Sequence, residues 1–202
     1  MMKPQCRYHS THITTLKKSA CLGFSLVELL VTVAIMTSLL SIGMPSYQAL
    51  IQRHYMKTEV NKWLLALNLA RQTAITSGNI VTLCPSSNGI SCGKKWTDGA
   101  ILFIDKNRDH VKDNNELMLQ VVAAVQHRQL LTWRAFQNRK YIQFQQNGFT
   151  WSQNGTFRIC ANQTSLKYNR ALIVTRSGRI RLSKDHDGNG IHEDAAGKDV
   201  SC

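Results

Sequence analysis

An apolar run near the N-terminus limits what this chain can fold into more than any other feature of its sequence. The run covers residues 24–44 and is followed directly by Pro45. In a helix, which rises about 1.5 Å per residue, a run of this length covers about 31 Å, close to the thickness of a bilayer core. Lys17 and Lys18 precede the run and no acidic residue does, so the positive-inside rule predicts a cytoplasmic N-terminus and an exported remainder.

A cleaved secretory signal is the alternative interpretation of the run. Such a signal has a shorter apolar core that ends at small residues of the A-x-A kind. Here the apolar residues continue to Met44 without a site of that kind. The length of the run therefore favours a membrane span over a secretory signal.

Glu28 is the one ionisable residue inside the run. An ionisable side chain in a membrane span costs about 2.5 to 3.5 kcal/mol on insertion scales and by default marks a functional site. The segment G-F-S-L-V-E at residues 23–28 resembles the signal of type IV prepilins. The resemblance implies that a prepilin peptidase cuts after Gly23 and methylates the new N-terminal Phe24, and that Glu28 pairs with the Phe24 amine during filament assembly.

The charge balance of the chain is basic. Its 25 Lys and Arg residues face 12 Asp and Glu residues, which gives a formal net charge of +13. If residues 1–23 are a cleaved leader, four basic residues are lost (Lys3, Arg7, Lys17 and Lys18) and the charge falls to +9. A balance of this kind favours an anionic partner such as nucleic acid, lipid headgroups or polysaccharide.

Four cysteines lie in the part that is expected to be exported, and in an oxidising compartment they predict two disulfides. Of the three possible pairings, Cys84–Cys92 with Cys160–Cys202 is favoured, because the first closes a short loop and the second ties down the C-terminal residue. A zinc site is the alternative, and the lack of C-x-x-C spacing argues against it. No metal or cofactor is expected.

Beyond Pro45, apolar residues recur at three- and four-residue spacings, which predicts one long helix over residues 24–77. Gly78 and Asn79 are residues that commonly end a helix. From Ile80 onward the pattern changes to short strands, predicted at 80–84, 100–105, 117–123, 130–136, 141–145, 156–160, 171–176 and 179–183.

A helix followed by strands predicts an α+β fold in which one long helix packs on an antiparallel sheet. The expected organisation is a leader at 1–23, a helix at 24–77 with its first half (24–44) in the membrane, and a β-rich head at 78–202. The resemblance to type IV prepilins implies a location in the inner membrane of a Gram-negative-type bacterium, with a periplasmic head, before assembly into a surface pilus.

Two acidic turns have spacings that suggest calcium loops. Residues 105–116 place oxygen ligands at positions 1, 3, 5, 9 and 12 of an EF-hand-like loop, but His110 stands where that loop needs glycine. Residues 185–190 match the first half of the pattern, but Ala196 stands where a bidentate Glu is required. A polar hairpin loop and a glycine-rich surface turn are the favoured interpretations.

The sequence does not predict an enzyme. Its Ser, His and acidic residues are scattered, without a nucleophile elbow, an H-E-x-x-H motif or a phosphate-binding glycine loop. Catalysis is therefore not expected.

Residues 170–184 carry the strongest candidate site, a basic hairpin. Ser177 and Gly178 between two alternating segments predict a two-residue turn. Arg176 is then opposite Arg179, and side-chain alternation divides the hairpin into two faces. One predicted face carries Ala171, Ile173, Thr175, Ile180 and Leu182, and the other carries Arg170, Arg176, Arg179 and Arg181.

The arginine face is predicted to bind phosphates. No acidic residue lies between Leu166 and Lys184, so nothing nearby in sequence neutralises these arginines. Arg179 and Arg181 would lie about 7 Å apart on one strand, close to the spacing of successive phosphates, and guanidinium groups suit phosphate oxygens. Lys167 and Lys184 could extend the track. The alternative is a solvated basic face that keeps an edge strand from aggregating.

The prepilin-like signal, the long helix, the disulfide-bearing β domain and this hairpin together resemble the GspH/FimT family of minor pilins and pseudopilins. Residues 178–181 match the G-R-x-R motif of the FimT-like branch. The resemblance implies DNA binding at a pilus tip during natural transformation, with other pilins as partners. The expected contacts are to the phosphate backbone, without sequence readout, and involve Lys167, Arg170, Arg176, Arg179, Arg181 and Lys184.

The alternative within the same family is a minor pseudopilin of a type II secretion system. Such a protein is a structural or priming subunit whose partners are other pilin-like chains and exported proteins. It does not bind DNA, and it has no need of an arginine face that lacks acidic neighbours.

Overall fold

The computed structural model describes residues 24–126, 129–161 and 165–202. It divides into two compact units, with the boundary between Met44 and Pro45. A single helix, α1 (Leu26–Ser77), contributes its first turns to the first unit and its remainder to the second.

The described part of the first unit, residues 24–44, is helical from Leu26 onward. Ser25 precedes the helix, and its hydroxyl accepts a hydrogen bond from the Glu28 backbone N–H at 3.2 Å, as in an N-terminal cap. The hydroxyls of Thr32 and Ser38 donate to carbonyls one turn earlier in the same helix. By length and composition, the helix contains a stretch that is able to cross a membrane.

In the second unit, one face of α1 is buried. The buried residues recur at the three- and four-residue spacings of an amphipathic helix. Gly78, with a φ of +63°, follows the helix in the left-handed conformation that ends many helices. The buried face consists of Met56, Val60, Trp63, Ala66, Leu67, Ala70 and Ala74.

In the described part of the chain, eight strands form two antiparallel sheets. The first sheet has the order β3-β2-β1-β5, and the second has the order β4-β6-β7-β8. The strands are β1 (Val81–Pro85), β2 (Ala100–Ile104), β3 (Met118–Val122), β4 (Leu130–Ala135), β5 (Ile142–Phe144), β6 (Gly155–Cys160), β7 (Arg170–Val174) and β8 (Ile180–Leu182). The predicted α+β class is confirmed, and each predicted strand corresponds to an observed one.

An aromatic cluster joins the helix to the second sheet. The Phe157 ring on β6 lies 5.8 Å from Trp63 of α1, 4.8 Å from Trp96 and 4.3 Å from Trp133 of β4, measured between ring centroids. Aromatic rings at such distances interact favourably beyond the burial of their surface. The buried core contains no residue before Met56 among those described, so residues 45–202 carry their own hydrophobic core, as an independent domain does.

Two disulfides fix loops to the sheets. Cys84 and Cys92, eight positions apart in sequence, close a short loop beside the first sheet, and Cys160–Cys202 joins the C-terminus to β6. The C-terminal segment, residues 184–202, is called the tail below. It is held further by the Asn169 side-chain amide, which donates to the Val200 carbonyl at 2.8 Å. These two contacts hold the C-terminal end of the tail, at residues 200 and 202, to the second sheet.

Candidate nucleic-acid interface

The β7–β8 hairpin differs in register from the hairpin that the sequence predicts. Val174 pairs with Ile180 and Ile173 pairs with Arg181, whereas the two-residue turn required Val174 opposite Arg181. The prediction was wrong by one residue, because the loop between the strands contains three residues at its tip rather than two.

The three-residue tip has a definite hydrogen-bond pattern. The Gly178 N–H donates to the Thr175 carbonyl at 2.9 Å, and the Thr175 N–H donates to the Arg179 carbonyl at 3.0 Å. With Gly178 at a φ of +73°, this is a turn followed by a glycine bulge, a common connection for loops of this length. We call residues 175–179 the arginine turn.

The shift in register changes which arginines share a face. On β7, Leu172 and Val174 belong to the core, while Ile173 lies on the outer face opposite Arg181. Arg170 has the same parity as Leu172 and therefore lies on the opposite face from Arg181. The predicted grouping of Arg170 with Arg181 was wrong.

Arg170 is a half-buried structural residue. Its guanidinium donates to the carbonyls of Lys167 and Asn169 at 2.9 and 2.7 Å. Burial, followed by the nearby charge of Arg53, lowers the pKa of Arg170. These contacts tie Arg170 to the backbone and to the helix side of the sheet.

Arg176, Arg179 and Arg181 are exposed to solvent. Among the residues that the structure describes, none of the three is in an ion pair, and none donates a side-chain hydrogen bond. Arg176 and Arg179 belong to the arginine turn, and Arg181 lies on β8. Their guanidinium groups remain open to an external acceptor, and five N–H donors in a planar fork suit the oxygens of phosphate.

The tail brings acidic groups beside these arginines, which the local sequence did not indicate. A cleft of about 200 Å³ is lined by Arg179 and Arg181 together with Glu193 and Asp194 of the tail. Lys184, at the start of the tail, also lines it. The cleft therefore combines both signs of charge.

Each of these carboxylates has a partner of its own. The side-chain hydrogen bond with His186, at 3.1 Å, lowers the pKa of Glu193. Burial raises the pKa of Asp194, but hydrogen bonds from backbone amides and from Arg158, at 2.6 Å, outweigh it and lower the pKa. Both carboxylates are therefore ionised near neutral pH, and both are engaged by groups other than the exposed arginines.

His192 lies in the middle of the tail, and its Nδ1 is 2.7 Å from the carbonyl of Ser183, which directly precedes the tail. Burial and the nearby charge of Arg170 lower the pKa of His192. The imidazole is therefore neutral at neutral pH, and its Nδ1 donates to the carbonyl. Its role is to hold the tail against β8.

A second loop, residues 145–153, supports the arginine turn. The Thr150 N–H donates to the Arg176 carbonyl at 3.0 Å, and the Thr150 hydroxyl donates to the Thr175 carbonyl at 3.0 Å. The Gly148 carbonyl accepts from the Arg71 Nε at 3.3 Å. This places a fourth arginine, on α1, beneath the turn, and sequence reasoning missed it because the contact joins residues far apart in the chain.

Gly178 makes the close approach of the two loops possible. A Cβ added at this position would lie 1.8 Å from the Gly148 carbonyl oxygen. The glycine of the G-R-x-R motif is therefore required by packing as well as by its positive φ.

The two remaining basic candidates lie near the tail. Lys167 is exposed in a short 3₁₀ helix, Leu166–Tyr168, and its aliphatic stem lies against Gly190 of the acidic turn. Lys184 is exposed at the end of β8. The structure thus brings Lys184 close to Arg179 and Arg181, and it places Lys167 beside the tail.

In the first acidic loop, residues 105–116, the carboxylates at the two ends accept hydrogen bonds from other groups of the protein. Asp105 is buried and accepts hydrogen bonds from the Thr82 hydroxyl at 2.8 Å and the Gln143 side-chain amide at 3.0 Å. Glu116 accepts from the backbone N–H groups of Lys106 and residue 113. These bonds give the loop a structural role in closing the β2–β3 connection.

The second acidic turn brings together Asp185, Asp187 and Glu193, whose carboxylate oxygens lie within 4.8 Å of one another. The spacing of the loop pattern does not point to Glu193, because the pattern requires its last carboxylate at position 196, which is alanine. Burial raises the pKa of Asp185, but hydrogen bonds from the Gly190 and Gly188 amides outweigh it and lower the pKa.

The predicted processing site lies at the edge of the described residues. Gly23 is not among them. Phe24 and Glu28 are described and are exposed, with Glu28 in the first turn of α1.

Helix and sheets together define a class of protein: an α+β head that continues from an apolar N-terminal helix. The profile of the family described as "Type II transport protein GspH" matches residues 59–178, more than half of the chain. The chain belongs to the GspH family, whose members are pilin-like structural subunits of the minor pilin or pseudopilin type.

Solved structures show similar folds at low identity. The type IV minor pilin FimU of Pseudomonas aeruginosa is 19% identical, with a TM-score of 0.47, and the match covers 63% of this chain and 92% of FimU. The minor pseudopilin EpsH from the type 2 secretion system of Vibrio cholerae is 10% identical, with a TM-score of 0.46, over 63% of this chain and 94% of EpsH. No curated protein matches the sequence significantly.

Proposed function

We propose that this protein is a minor type IV pilin that binds DNA through the arginine turn and β8, and that it supports DNA uptake in natural transformation. Arg176, Arg179 and Arg181 contact phosphate oxygens, and Lys184 assists them. Lys167 contributes at the margin, next to the tail. Arg170 is excluded from the contact set, because its guanidinium is engaged by backbone carbonyls.

One observation carries the proposal. Three exposed arginines occur within six residues of chain, and none is in an ion pair among the residues described. A basic surface of this kind attracts the phosphate backbone without reading bases, and its affinity depends on salt because bound phosphates release counterions.

We propose further that the protein is processed as a prepilin and is then assembled into a filament. A prepilin peptidase cuts after Gly23 and methylates Phe24, and Glu28 then pairs with the Phe24 amine as the subunit joins other pilins. Before assembly, residues 24–44 anchor the chain in the inner membrane with the head in the periplasm. The apolar length of the helix and the family support this pathway.

DNA binding can be tested with the full chain in a mild detergent. Fluorescence anisotropy across a salt series should give a slope of log affinity against log salt of about −0.9 for each duplex phosphate contacted. The Arg179→Gln/Arg181→Gln variant should bind more weakly and with a slope smaller in magnitude by about two contacts.

A matched control removes the same charge elsewhere. Lys94 and Lys95 are exposed in the loop before β2, in the other sheet, and the Lys94→Gln/Lys95→Gln variant should bind as the parent does. If both double variants lose affinity equally, net charge rather than the arginine turn is responsible, and the proposal is wrong.

A pseudopilin of a type II secretion system is the second candidate function. The matching family is that of the type II transport protein GspH, which favours this candidate, and so do the carboxylates that share the cleft with Arg179 and Arg181. On this alternative, the parent protein does not bind DNA even at low salt, and its arginines contact acidic surfaces of neighbouring pseudopilins instead.

A further inference from the structure

Two aromatic residues occupy the loop that supports the arginine turn. Phe149 is 47% exposed and Trp151 is 63% exposed, whereas Thr150 between them is fully buried. Thr150 is also the residue that donates two hydrogen bonds to the arginine turn. The backbone that carries both rings is therefore held next to the arginine turn, and both rings are open to solvent.

The exposure of Trp151 contrasts with the other tryptophans. Trp63 and Trp96 are buried, and Trp133 packs against the same core. Aromatic rings of this size contribute most to stability when they are buried. An exposed ring does not give this stabilisation. The exposed pair Phe149 and Trp151, beside a basic turn, is therefore a candidate for contact with a ligand.

The backbone at Trp151 is strained as well. Its φ is +46°, a left-handed conformation that is uncommon for a bulky residue. Strained residues of this kind persist where the surroundings hold them, and they cluster at functional sites. Here the hydrogen bond from the Gln153 N–H to the Thr150 carbonyl, at 2.8 Å, closes the turn around Trp151.

Exposed aromatic rings beside cationic side chains are the chemistry by which proteins hold single-stranded nucleic acid. Bases stack on the rings, and the phosphates lie along the basic groups. In a duplex the faces of the bases are covered by their neighbours, so the rings would have nothing to stack on. The combination of Phe149 and Trp151 with the arginine turn therefore selects a strand whose bases are free.

Resting on the DNA binding proposed above, we infer that Phe149 and Trp151 form a base-stacking platform and that the DNA is single-stranded where it meets the arginine turn. Arg176, which shares a hydrogen bond with Thr150, holds the phosphate next to the stacked bases. Arg179 and Arg181 hold the phosphates beyond them.

The test compares three probes of equal length on the full chain in a mild detergent, by fluorescence anisotropy. The probes are an oligothymidine of about 12 nucleotides, within the usual site size for such surfaces, an abasic strand with the same phosphates, and the corresponding duplex. The parent should bind the oligothymidine about tenfold more tightly than the abasic strand, and more tightly than the duplex.

Substitutions at Trp151 separate stacking from folding. Trp151→Ala and Phe149→Ala should each remove most of the preference for oligothymidine and leave binding to the abasic strand unchanged. Trp151→Phe keeps a ring and should retain the preference, whereas Trp151→Leu keeps an apolar side chain and should lose it. Trp151→Asn should raise the melting temperature, because Asn tolerates a positive φ, and should still lose the preference.

The possible outcomes distinguish this inference from the function on which it rests. If the parent binds none of the three probes, the proposed DNA binding itself is wrong. If the parent binds DNA but the abasic strand and the oligothymidine are bound equally, or the Trp151 and Phe149 variants keep the preference, DNA binding stands and the stacking platform is refuted.

Discussion

Substituting Gly178 by alanine should destabilise the folded protein by more than the conformational cost of alanine at a positive φ. The position has a φ of +73°, and an added Cβ would lie 1.8 Å from the Gly148 carbonyl oxygen. Real Cβ contacts essentially never fall below 3.0 Å, so the two loops must separate by more than an ångström. We expect the arginine turn to lose its support from residues 145–153.

The size of the effect has two parts. Alanine in the left-handed conformation costs about 1 to 2 kcal/mol. Separation of the loops also weakens the two hydrogen bonds that Thr150 donates to the turn, each of which contributes about 0.5 to 1.5 kcal/mol. The free energy of unfolding should therefore fall by about 2 to 5 kcal/mol in total.

Gly197 provides a matched control. Its φ is also +73°, and nothing lies within 4 Å of an added Cβ, so Gly197→Ala carries the conformational cost alone. Urea unfolding of residues 45–202, which contain the whole described core, measures both variants under the same conditions. Equal destabilisation by the two substitutions would show that the contact between the loops adds nothing and would refute the packing role of Gly178.

Three further perturbations test other contacts. Asp194→Asn should lower the free energy of unfolding by about 1 to 3 kcal/mol, because it removes the negative charge that pairs with Arg158 and one of the two acceptor oxygens. Folding lowers the pKa of Asp194. The contribution of its carboxylate to the free energy of unfolding is therefore present above the ordinary aspartate pKa of about 3.9 and is lost as the pH falls through the lower folded value. Urea unfolding as a function of pH should show this loss in the parent and not in the variant. Replacing Cys160 and Cys202 by serine opens a bridge across 42 residues and should cost about 4 kcal/mol in chemical denaturation. Trp63→Ala, at a fully buried position, should cost about 3 to 5 kcal/mol and broaden the melting transition.

The sequence predicted the elements of the fold because their signals are local. Spacings of three and four residues on one face of α1 lead directly to the buried row from Met56 to Ala74. Short β-type runs between turn residues likewise correspond to the eight observed strands. Both signals depend only on neighbouring residues, so a single sequence contains them.

The register of the hairpin could not be predicted in the same way. Ser177 and Gly178 fit a two-residue turn as well as the tip of a three-residue loop, and the choice depends on what the turn packs against. In the structure, Gly178 lies against the Gly148 carbonyl, about thirty residues earlier in the chain. The local sequence pattern contains no signal for a contact between residues so far apart. The prediction therefore placed Arg170 and Arg181 on the same face of the hairpin, whereas they lie on opposite faces.

The candidate site was incomplete at the sequence level for the same reason. The sequence pattern indicates only that Phe149 and Trp151 are apolar residues in a turn and that Arg71 is a polar residue of the helix. Only the hydrogen bonds of Thr150 and the contact between Arg71 and the Gly148 carbonyl bring them to the arginine turn. Each is separated from the turn by at least two dozen residues.

The tail determines how strongly the arginines attract an anion. Glu193 and Asp194 line the same cleft as Arg179 and Arg181, but each carboxylate is already bonded to another group. The arginines therefore keep their donors free, while the local positive potential is reduced by two nearby charges. A monovalent anion gains little in such a mixed field, whereas a polyanion gains from several contacts at once. If the proposed DNA binding is correct, each phosphate contact is therefore expected to be weak, and the total affinity is expected to depend strongly on salt.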